Sequence, residues 1–356
     1  DYLIFNAFHY RNAVLMEKFA TLTENAEGQK KYHQIAEETK RYWNDTFTDK
    51  ETGITKNADG STCDVQGSYS IGLNCDVFAD AVKEKAFAHL ERTTREGNYT
   101  IQSGFFGTGP INPMLSKGGY LEAAQKTITQ TAFPSWLYPV TQGATTIWER
   151  WNSIKPDGTF DESGMNSLNH YAYGSIGDWM YRKVAGLSQL ESGYKKFQVK
   201  PMFVKGIEEW GTEFESVYGK IVAKTSCKNG KIHVHVEVPA NTTAVIVLPE
   251  KEEVQEVGSG IYDYEYETET CLAVERFSMD STLGEIVAEP LAVELFNQMA
   301  PGMLEGPMIQ FAYGMTLAEL LGAAPQAKPL YEAVVNALNQ KEAEAGSLIE
   351  SYAYNK

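Results

Sequence analysis

The sequence predicts a multidomain α and β chain: a partial α/α toroid of helical hairpins, then an antiparallel β-sandwich, then a small helical bundle. Apolar residues recur at helical spacing through residues 1–187, with short polar or glycine-rich connectors between helices. The period changes to two over residues 188–270 and becomes helical again over 271–356. We therefore expect three domains with these bounds.

Composition excludes several classes of protein. The chain has 356 residues, of which 43% are hydrophobic and 22% charged, which suits two or three globular domains. Its net charge of −16 argues against nucleic acid or an anionic membrane as a partner. No apolar run reaches the roughly 18 residues that a membrane-spanning helix needs, so no span is predicted.

Cysteine and histidine give no metal-ligand pattern. No CxxC pair occurs among the four cysteines, so we expect free, buried thiols: Cys63, Cys75, Cys227 and Cys271. His233 and His235 alternate on a predicted strand without cysteine or carboxylate company, which favours solvent-facing residues over ligands. The sequence therefore predicts neither a metal nor a cofactor.

The N-terminal part contains a series of predicted helices. They cover residues 2–24, 29–47, 66–73, 76–94, 111–128 and 166–184, with a break at Gly28. The chain starts without Met, inside a helical pattern, so we expect it to be a piece of a longer chain. A closed ring of six hairpins also needs more helices than residues 1–187 supply.

Three connectors are rich in aromatic residues and glycine: residues 99–110, 133–151 and 157–170. Residues 99–110 hold several glycines and a proline among aromatics, which predicts a loop that brings backbone close to another group. Connectors of stacked hairpins meet at one end of a toroid, so a ligand site is expected there.

The most informative stretch is Gly143–Trp151. It places Glu149 between Trp148 and Trp151, with Arg150 beside the carboxylate. A polar run that includes Asn169 and His170 follows about twenty residues later. Sugars stack on aromatic rings and bond to amides and charged groups, and carboxylates drive glycosidic cleavage.

Simpler interpretations of these residues stay open at this point. Glu149 also fits a surface helix position beside a packed aromatic neighbour. Arg150 either keeps Glu149 ionised and oriented or forms a structural ion pair on the wall of the toroid.

The remaining two parts carry less chemistry. Predicted strands with Asn-Gly and Gly-Ser-Gly turns follow residue 195, and a structural role packed on the helices is expected. A carbohydrate-binding module is the alternative, but no exposed aromatic platform is apparent. Residues 271–356 are acidic and split by prolines, which predicts short helices, with a Ser or Asp N-cap near 278–281.

Ordered sequence blocks over residues 1–266 resemble the inverting α-L-rhamnosidases of glycoside hydrolase family 78. The blocks that carry the resemblance are 103–108, 134–136, 143–151, 165–172, 177–181 and 193–201. The resemblance implies an (α/α)6 catalytic barrel followed by a β-sandwich, no cofactor, and rhamnose-containing glycosides or polysaccharides as substrates.

The resemblance also assigns roles to single residues. The general base of the family falls on Glu149, and its sugar-contacting histidine falls on His170. The other candidate substrate contacts are Trp136, Trp148, Phe106 and Asn169.

One departure from the family pattern concerns the general acid. The resemblance implies an Asp- and Glu-rich motif upstream of the helix that opens this chain, and residues 1–64 contain no such motif. The acidic run Thr48–Glu51 lies in a predicted turn. We therefore expect the base half of a site without its acid half, and an isolated chain without activity.

Two other functions stay open. One is another α/α-toroid hydrolase or a disaccharide phosphorylase. The other is a non-catalytic saccharide-binding or scaffold protein, in which the β-sandwich and the acidic bundle are the working parts. The sequence also leaves open whether the protein is a monomer or a homodimer, and favours a cytoplasmic location only slightly over secretion.

Overall fold

The predicted order of helical hairpins, β-sheets and helices is confirmed in a computed structural model. The structure describes residues 2–272, 277–306 and 309–339. Their contacts form two units. The first comprises Asp1–Val204 and Glu209–Thr270, and the second comprises Lys205–Glu208 and the chain from Cys271. The three predicted domain bounds stay a prediction, and residues 340–356 of the third lie outside the described part.

The first two helices form a hairpin, α1 (Tyr2–Leu22) and α2 (Ala26–Phe47). The predicted break at Gly28 is wrong, because the Asn25 side chain accepts a hydrogen bond from Gly28 N (2.9 Å) and caps α2 three residues earlier. The buried Trp43 donates its indole N–H to Leu3 O (3.1 Å), which ties the end of α2 to the start of α1.

The next helices are α3 (Gln66–Cys75), α4 (Asp80–Glu96), α5 (Phe105–Lys117), α6 (Leu121–Thr129) and α7 (Leu137–Thr141). The loop predicted over residues 99–110 is wrong in its second half, since α5 begins at Phe105. Glycine here serves helix packing: a Cβ on Gly107 would lie 3.1 Å from Gly67 Cα of α3. Ser70 Oγ on α3 also donates to Gly107 O (2.8 Å).

The helix predicted over residues 166–184 is shorter than expected. It begins with a 3₁₀ turn (Ala172–Ser175), continues as α8 (Ile176–Trp179), and ends in a π-helical turn (Met180–Val184). Residues 166–171 are not helical, because Ser167 and His170 form backbone hydrogen bonds with residues 147–149. Trp179 is buried and donates to Ser116 Oγ of α5 (2.8 Å), which anchors α8 to the hairpins.

Two four-stranded sheets form the predicted sandwich. The strands are β1 (Leu187–Gln189), β2 (Lys196–Val199), β3 (Glu209–Ser216), β4 (Gly219–Lys228), β5 (Lys231–Val238), β6 (Thr243–Val247), β7 (Val254–Val257) and β8 (Gly260–Glu267). The sheet orders are β1-β2-β6-β7 and β3-β4-β5-β8. One pair departs from an antiparallel arrangement, since β2 and β6 are parallel. The chain that connects them in sequence passes through β3, β4 and β5 of the other sheet before it returns.

The second unit is helical, with short helices as predicted. They are α9 (Leu283–Val287), α10 (Pro290–Met299), α11 (Ile309–Ala312), α12 (Leu317–Ala323) and a helix over residues 328–339. The predicted cap near 278–281 is wrong: Thr282 caps α9 in a capping box with Glu285. Phe296, Leu317 and Val334 are fully buried in its core.

Two further expectations concern thiols and membranes. None of the four cysteines is in a disulfide, and Cys75 and Cys227 are buried as expected. Cys63 is half-buried and Cys271 is exposed, so burial was predicted wrongly for these two. Across the described part of the chain, every helix is too short or too polar to cross a bilayer.

Gly186 is the point where the helical part meets the sandwich. Its φ is +80°, and a Cβ there would lie 2.2 Å from the carbonyl carbon of Lys200 and 2.3 Å from Pro201 N. Backbone bonds close the junction on both sides, from Lys200 N to Gly186 O (3.0 Å) and from Met202 N to Val184 O (3.1 Å). Only glycine fits this close approach.

We expect Gly186→Ala to lower the free energy of unfolding by about 2 kcal/mol or more, since it adds a backbone clash to an unfavourable φ. Chemical denaturation of the purified chain measures this. Gly177→Ala is the matched control: nothing lies within 4 Å of its added Cβ, and the substitution in α8 should be neutral or slightly stabilising. Equal stability of the two variants would show that the junction does not need glycine.

The expectation that His233 and His235 lack carboxylate company is wrong. Asp263 on β8 lies 2.8 Å from His235 Nδ1 and 3.3 Å from His233 Nε2, and Glu237 Oε1 lies 3.3 Å from His235 Nε2. The register of β5 with β8 places His235 directly opposite Asp263. The hydrogen bond to Asp263 raises the pKa of His235, and the same bond lowers the pKa of Asp263.

These shifts predict a pH dependence of the free energy of unfolding. Because the pKa of His235 is raised by folding, its contribution is complete below the unfolded pKa of about 6.5 and is lost as pH rises through the folded value. The Asp263 contribution is lost only as pH falls below about 4. Urea unfolding should therefore give a lower free energy of unfolding at about pH 9 than at about pH 6 for the wild-type chain. This difference should be smaller in His235→Gln.

His9→Gln is the control for this measurement, because His9 is exposed and stacks on Phe5 without a charged partner among the described residues. A pH dependence unchanged in His235→Gln would contradict the assignment.

Candidate active site

Two backbone segments that lie about twenty residues apart in sequence run side by side in opposite directions. Glu149 N donates to Ser167 O (2.8 Å), and His170 N donates to Ile147 O (2.8 Å). The Thr146 hydroxyl adds a third bond to Leu168 O. This pairing brings Glu149 and His170, both predicted from the sequence, into one local structure.

The Glu149 side chain is half-buried and held by one backbone donor. Its Oε2 accepts a hydrogen bond from Ser167 N (3.1 Å). Among the described residues, Oε1 has no hydrogen-bond partner. The carboxylate is therefore oriented by the backbone while one oxygen stays available to a water molecule.

Arg150 pairs with a different carboxylate. Its guanidinium donates to the Ser163 hydroxyl and lies 3.4 Å from Asp161 Oδ1. Asn152 donates to the other oxygen of Asp161 (3.1 Å), and the hydroxyl and N–H of Ser163 lower the pKa of this carboxyl. Arg150 thus joins the two ends of the loop that follows Glu149. Of the two roles considered for it, the structure shows a structural ion pair and not a contact that orients Glu149.

A stack of aromatic rings lies next to this loop. Trp151 stacks on Tyr173 with ring centroids 3.8 Å apart, and Trp136 meets Trp151 edge to face at 5.7 Å. Trp136 also donates its indole N–H to Tyr173 O (3.0 Å). Trp136 and Trp148 are only 8% and 4% exposed, so little of either ring is open to a ligand.

His170 lies between two other aromatic rings. Its ring stacks with Phe105 at 5.1 Å and with Tyr171 at 5.2 Å. Ala172 N donates to its Nδ1 (3.2 Å), so in the neutral ring the proton lies on Nε2, which becomes a donor.

Sequence reasoning selected Phe106 and missed two rings beside His170. Phe106 is 68% exposed and contacts Phe8 of α1 instead, with centroids 5.8 Å apart. Phe105 and Tyr171 are the neighbours of His170, and Tyr171 is 89% exposed. Phe105 and Tyr171 both lie in the sequence blocks that carry the family resemblance. The sequence alone does not show that Phe105, and not the adjacent Phe106, lies beside His170.

A cavity with a volume of about 620 Å³ lies near these residues, among α1, α3 and the start of α5. Phe105 and Phe106 line it, together with Asp59 and Gln102. Glu149, His170 and Asn169 are not in its lining. Asn169 is exposed, with its N–H bonded to Ser167 Oγ (3.3 Å). Phe105 therefore connects the cavity with the carboxylate segment.

No group of His, Cys, Asp or Glu in the described ranges has an arrangement that could hold a metal ion. The candidate site therefore consists of an oriented carboxylate, a histidine donor, aromatic rings and a nearby cavity. These are the groups that recognise and cleave sugars.

Comparisons with known proteins identify one family. Residues 1–184 match the bacterial α-L-rhamnosidase 6 hairpin glycosidase domain, and residues 186–262 match the bacterial α-L-rhamnosidase C-terminal domain. An α-L-rhamnosidase of Formosa agariphila is 33% identical over 247 residues, which cover 69% of this chain and 26% of the relative. An α-L-rhamnosidase of Streptomyces avermitilis is 36% identical over 186 residues, which cover 52% of this chain and 18% of the relative.

Solved structures show the same fold. The native α-L-rhamnosidase of Aspergillus terreus has a TM-score of 0.67 at 29% identity and covers 73% of this chain and 30% of its own. The Streptomyces avermitilis α-L-rhamnosidase complexed with L-rhamnose has a TM-score of 0.66 at 28% identity, with 74% and 26% covered. The chain spans about a quarter of the length of these relatives. The resemblance to glycoside hydrolase family 78 is confirmed, and the chain belongs to the bacterial α-L-rhamnosidase family.

Proposed function

We propose that this chain is the base-carrying part of an inverting glycoside hydrolase that releases terminal α-L-rhamnose from glycosides or polysaccharides. The observation that carries the proposal is the Glu149 carboxylate, held by Ser167 N with Oε1 unpartnered among the described residues, in a chain of this family. The relatives are named α-L-rhamnosidases, and one of them was solved with L-rhamnose.

In this proposal Glu149 is the general base. Its Oε1 takes a proton from a water molecule, and the water attacks the anomeric carbon on the face opposite the leaving oxygen. A carboxylic acid at about 6.5–9.5 Å from the base gives its proton to that oxygen. The Ser167 N–H bond suits a base because it holds the carboxylate in one orientation.

The remaining candidate residues bind the sugar in different ways. His170 donates from Nε2 to a sugar hydroxyl, while Phe105 and Tyr171 offer ring faces beside it. Asn169 is exposed and presents an amide to solvent, and Phe106 forms part of the cavity rim. Since Trp136 and Trp148 are buried, we assign them to support of this surface. The three predicted domain bounds belong to this proposal too, with the site in residues 1–187.

The general acid is not assigned to a residue of this chain. The acidic run at residues 48–51 closes a turn, in which Asp49 accepts hydrogen bonds from Thr52 N (2.8 Å) and Glu51 N (3.0 Å). The bonds from Thr52 lower the pKa of Asp49 and keep it ionised, which is wrong for a proton donor.

In an enzyme of the relatives' length that contains this segment, Glu149→Gln should lower kcat on an aryl α-L-rhamnoside by about 10²–10⁴-fold, because the amide cannot accept the water proton. KM should change little. Glu162→Gln is the matched control, since Glu162 lies in the same loop, is exposed and should leave turnover unchanged. Near-wild-type kcat in Glu149→Gln would remove Glu149 from the mechanism.

The chain alone should bind L-rhamnose, detected by tryptophan fluorescence, but should not hydrolyse an aryl rhamnoside, because the acid is absent. His170→Ala should weaken rhamnose binding by about tenfold, because it removes one hydrogen bond and one stacking face. His33→Ala on the exposed surface of α2 is the control.

Other outcomes of this experiment separate the alternatives. Hydrolysis by the chain alone would contradict the missing acid, and turnover that requires phosphate would indicate a phosphorylase. Rhamnose binding that survives His170→Ala and maps to residues 188–266 would favour a non-catalytic saccharide-binding protein. Light scattering during the same purification distinguishes a monomer from the homodimer that stays part of this proposal.

A further inference from the structure

A second cavity lies at the junction of the helices and the sandwich, within the first unit. Its volume is about 630 Å³, and it shares no lining residue with the candidate active site. Four basic residues line it, Arg182, Lys183, Lys200 and Lys251, with Glu250 as the one acidic residue in the lining. Such a concentration of positive charge is unusual in a chain of net charge −16.

Two of these cations have no ion-pair partner among the residues that the structure describes. Arg182 is paired with Asp178 (2.6 Å), and the Lys251 ammonium lies over the Tyr266 ring at 4.7 Å. In the described part of the chain, Lys183 and Lys200 form no ion pair and no side-chain hydrogen bond. Both are exposed at the cavity, so their charges are available to a ligand.

Within the described ranges, the single carboxylate of the cavity forms no ion pair with either lysine. Oε2 of Glu250 accepts a hydrogen bond from the Thr268 hydroxyl (2.8 Å), and Oε1 accepts one from the Thr270 hydroxyl. An unpartnered pair of ammonium groups in one concave site attracts an anion, because concave walls focus the field.

The backbone holds the two lysines together. Lys200 N donates to Gly186 O (3.0 Å), and the chain on either side is joined by the bond from Met202 N to Val184 O (3.1 Å). The close approach at Gly186 therefore sets the spacing between the segment that carries Lys183 and the segment that carries Lys200. The backbone that carries the two lysines therefore needs little reorganisation on binding.

The size and lining of the cavity point to a sugar that carries an acidic group. A volume of about 630 Å³ is within the range for small-molecule sites, whereas an inorganic anion would leave most of it unfilled. Ser188 and Gln198 add hydroxyl and amide groups, and Met202 and Phe203 add apolar surface. Hydroxyl, amide and apolar contacts match a sugar ring, and the lysines match its carboxylate or sulfate.

We propose that this cavity is a second saccharide site, which binds a sugar bearing a carboxylate or a sulfate. It acts apart from the hydrolysis assigned to Glu149. Its test measures binding directly, so its failure leaves the proposed hydrolase activity untouched.

The test is calorimetric titration of the whole chain at low ionic strength. The probes are a disaccharide that ends in a uronate, its carboxyl-reduced neutral form, a sulfated form of that neutral disaccharide, and inorganic sulfate. We expect the uronate or the sulfated disaccharide to bind at least about tenfold more tightly than the neutral form, with an affinity that falls as salt is added.

The double variant Lys183→Gln/Lys200→Gln should weaken this binding by about tenfold or more. The matched control is Lys18→Gln/Lys30→Gln, which makes the same change in net charge at exposed positions of α1 and α2 and should leave binding intact. Circular dichroism and L-rhamnose binding verify the fold of both.

Several results would overturn the proposal. These are equal binding of the neutral disaccharide, equal or tighter binding of inorganic sulfate, no binding of either acidic disaccharide, and equal losses in the double variant and its control. Selective loss in the double variant alone supports it, and the carboxylate and sulfate probes then show which acidic group the site prefers.

Discussion

The candidate site depends on the backbone pairing of residues 147–149 with residues 167–170. The bonds between Glu149 and Ser167, and between His170 and Ile147, place a carboxylate and an imidazole from separate connectors in one register. The same Ser167 contributes the N–H that orients the carboxylate. Because these bonds are main-chain bonds, they specify position without using side chains, and the side chains stay available for a ligand. Polar side chains next to this pairing hold the following loop together, since Arg150 and Asn152 both contact the Asp161 carboxylate.

Aromatic packing supports this pairing from one side. Trp136, Trp151 and Tyr173 form a buried stack, and Trp179 anchors the following helical turns to α5. Large rings in contact make a wall that is hard to deform, which is what an oriented carboxylate requires. The exposed rings near His170 have a different place in the structure, since Phe105 and Tyr171 flank it at the surface where we propose that the sugar binds. The motif segments thus contain two kinds of aromatic residue: buried rings that pack on one another and exposed rings that flank His170.

The junction between helices and sandwich has an organisation of its own. Gly186 lets two backbone segments approach, and this approach places Lys183 and Lys200 at one cavity. The whole chain has a net charge of −16, so a local excess of positive charge there is a property of the tertiary arrangement and not of composition. The sandwich therefore contributes to the cavity that we propose as a ligand site. In the β3-β4-β5-β8 sheet, the pairing of β5 with β8 joins His235 to Asp263 and makes that contact sensitive to pH.

Local patterns determined the class of each segment, the order of the three parts, and the family, because periodicity records which face of one segment is buried and the motif blocks are contiguous. They also indicated Glu149 and His170, which lie inside such blocks. Only the tertiary structure decided the partners: Asp161 for Arg150, Asp263 for His235, Phe105 in place of Phe106 beside His170, and β6 as a parallel neighbour of β2. It also decided that α5 begins among glycines, since their use is close packing on α3. Each of these depends on contacts between residues far apart in the chain, and a sequence pattern within one segment carries no information about them.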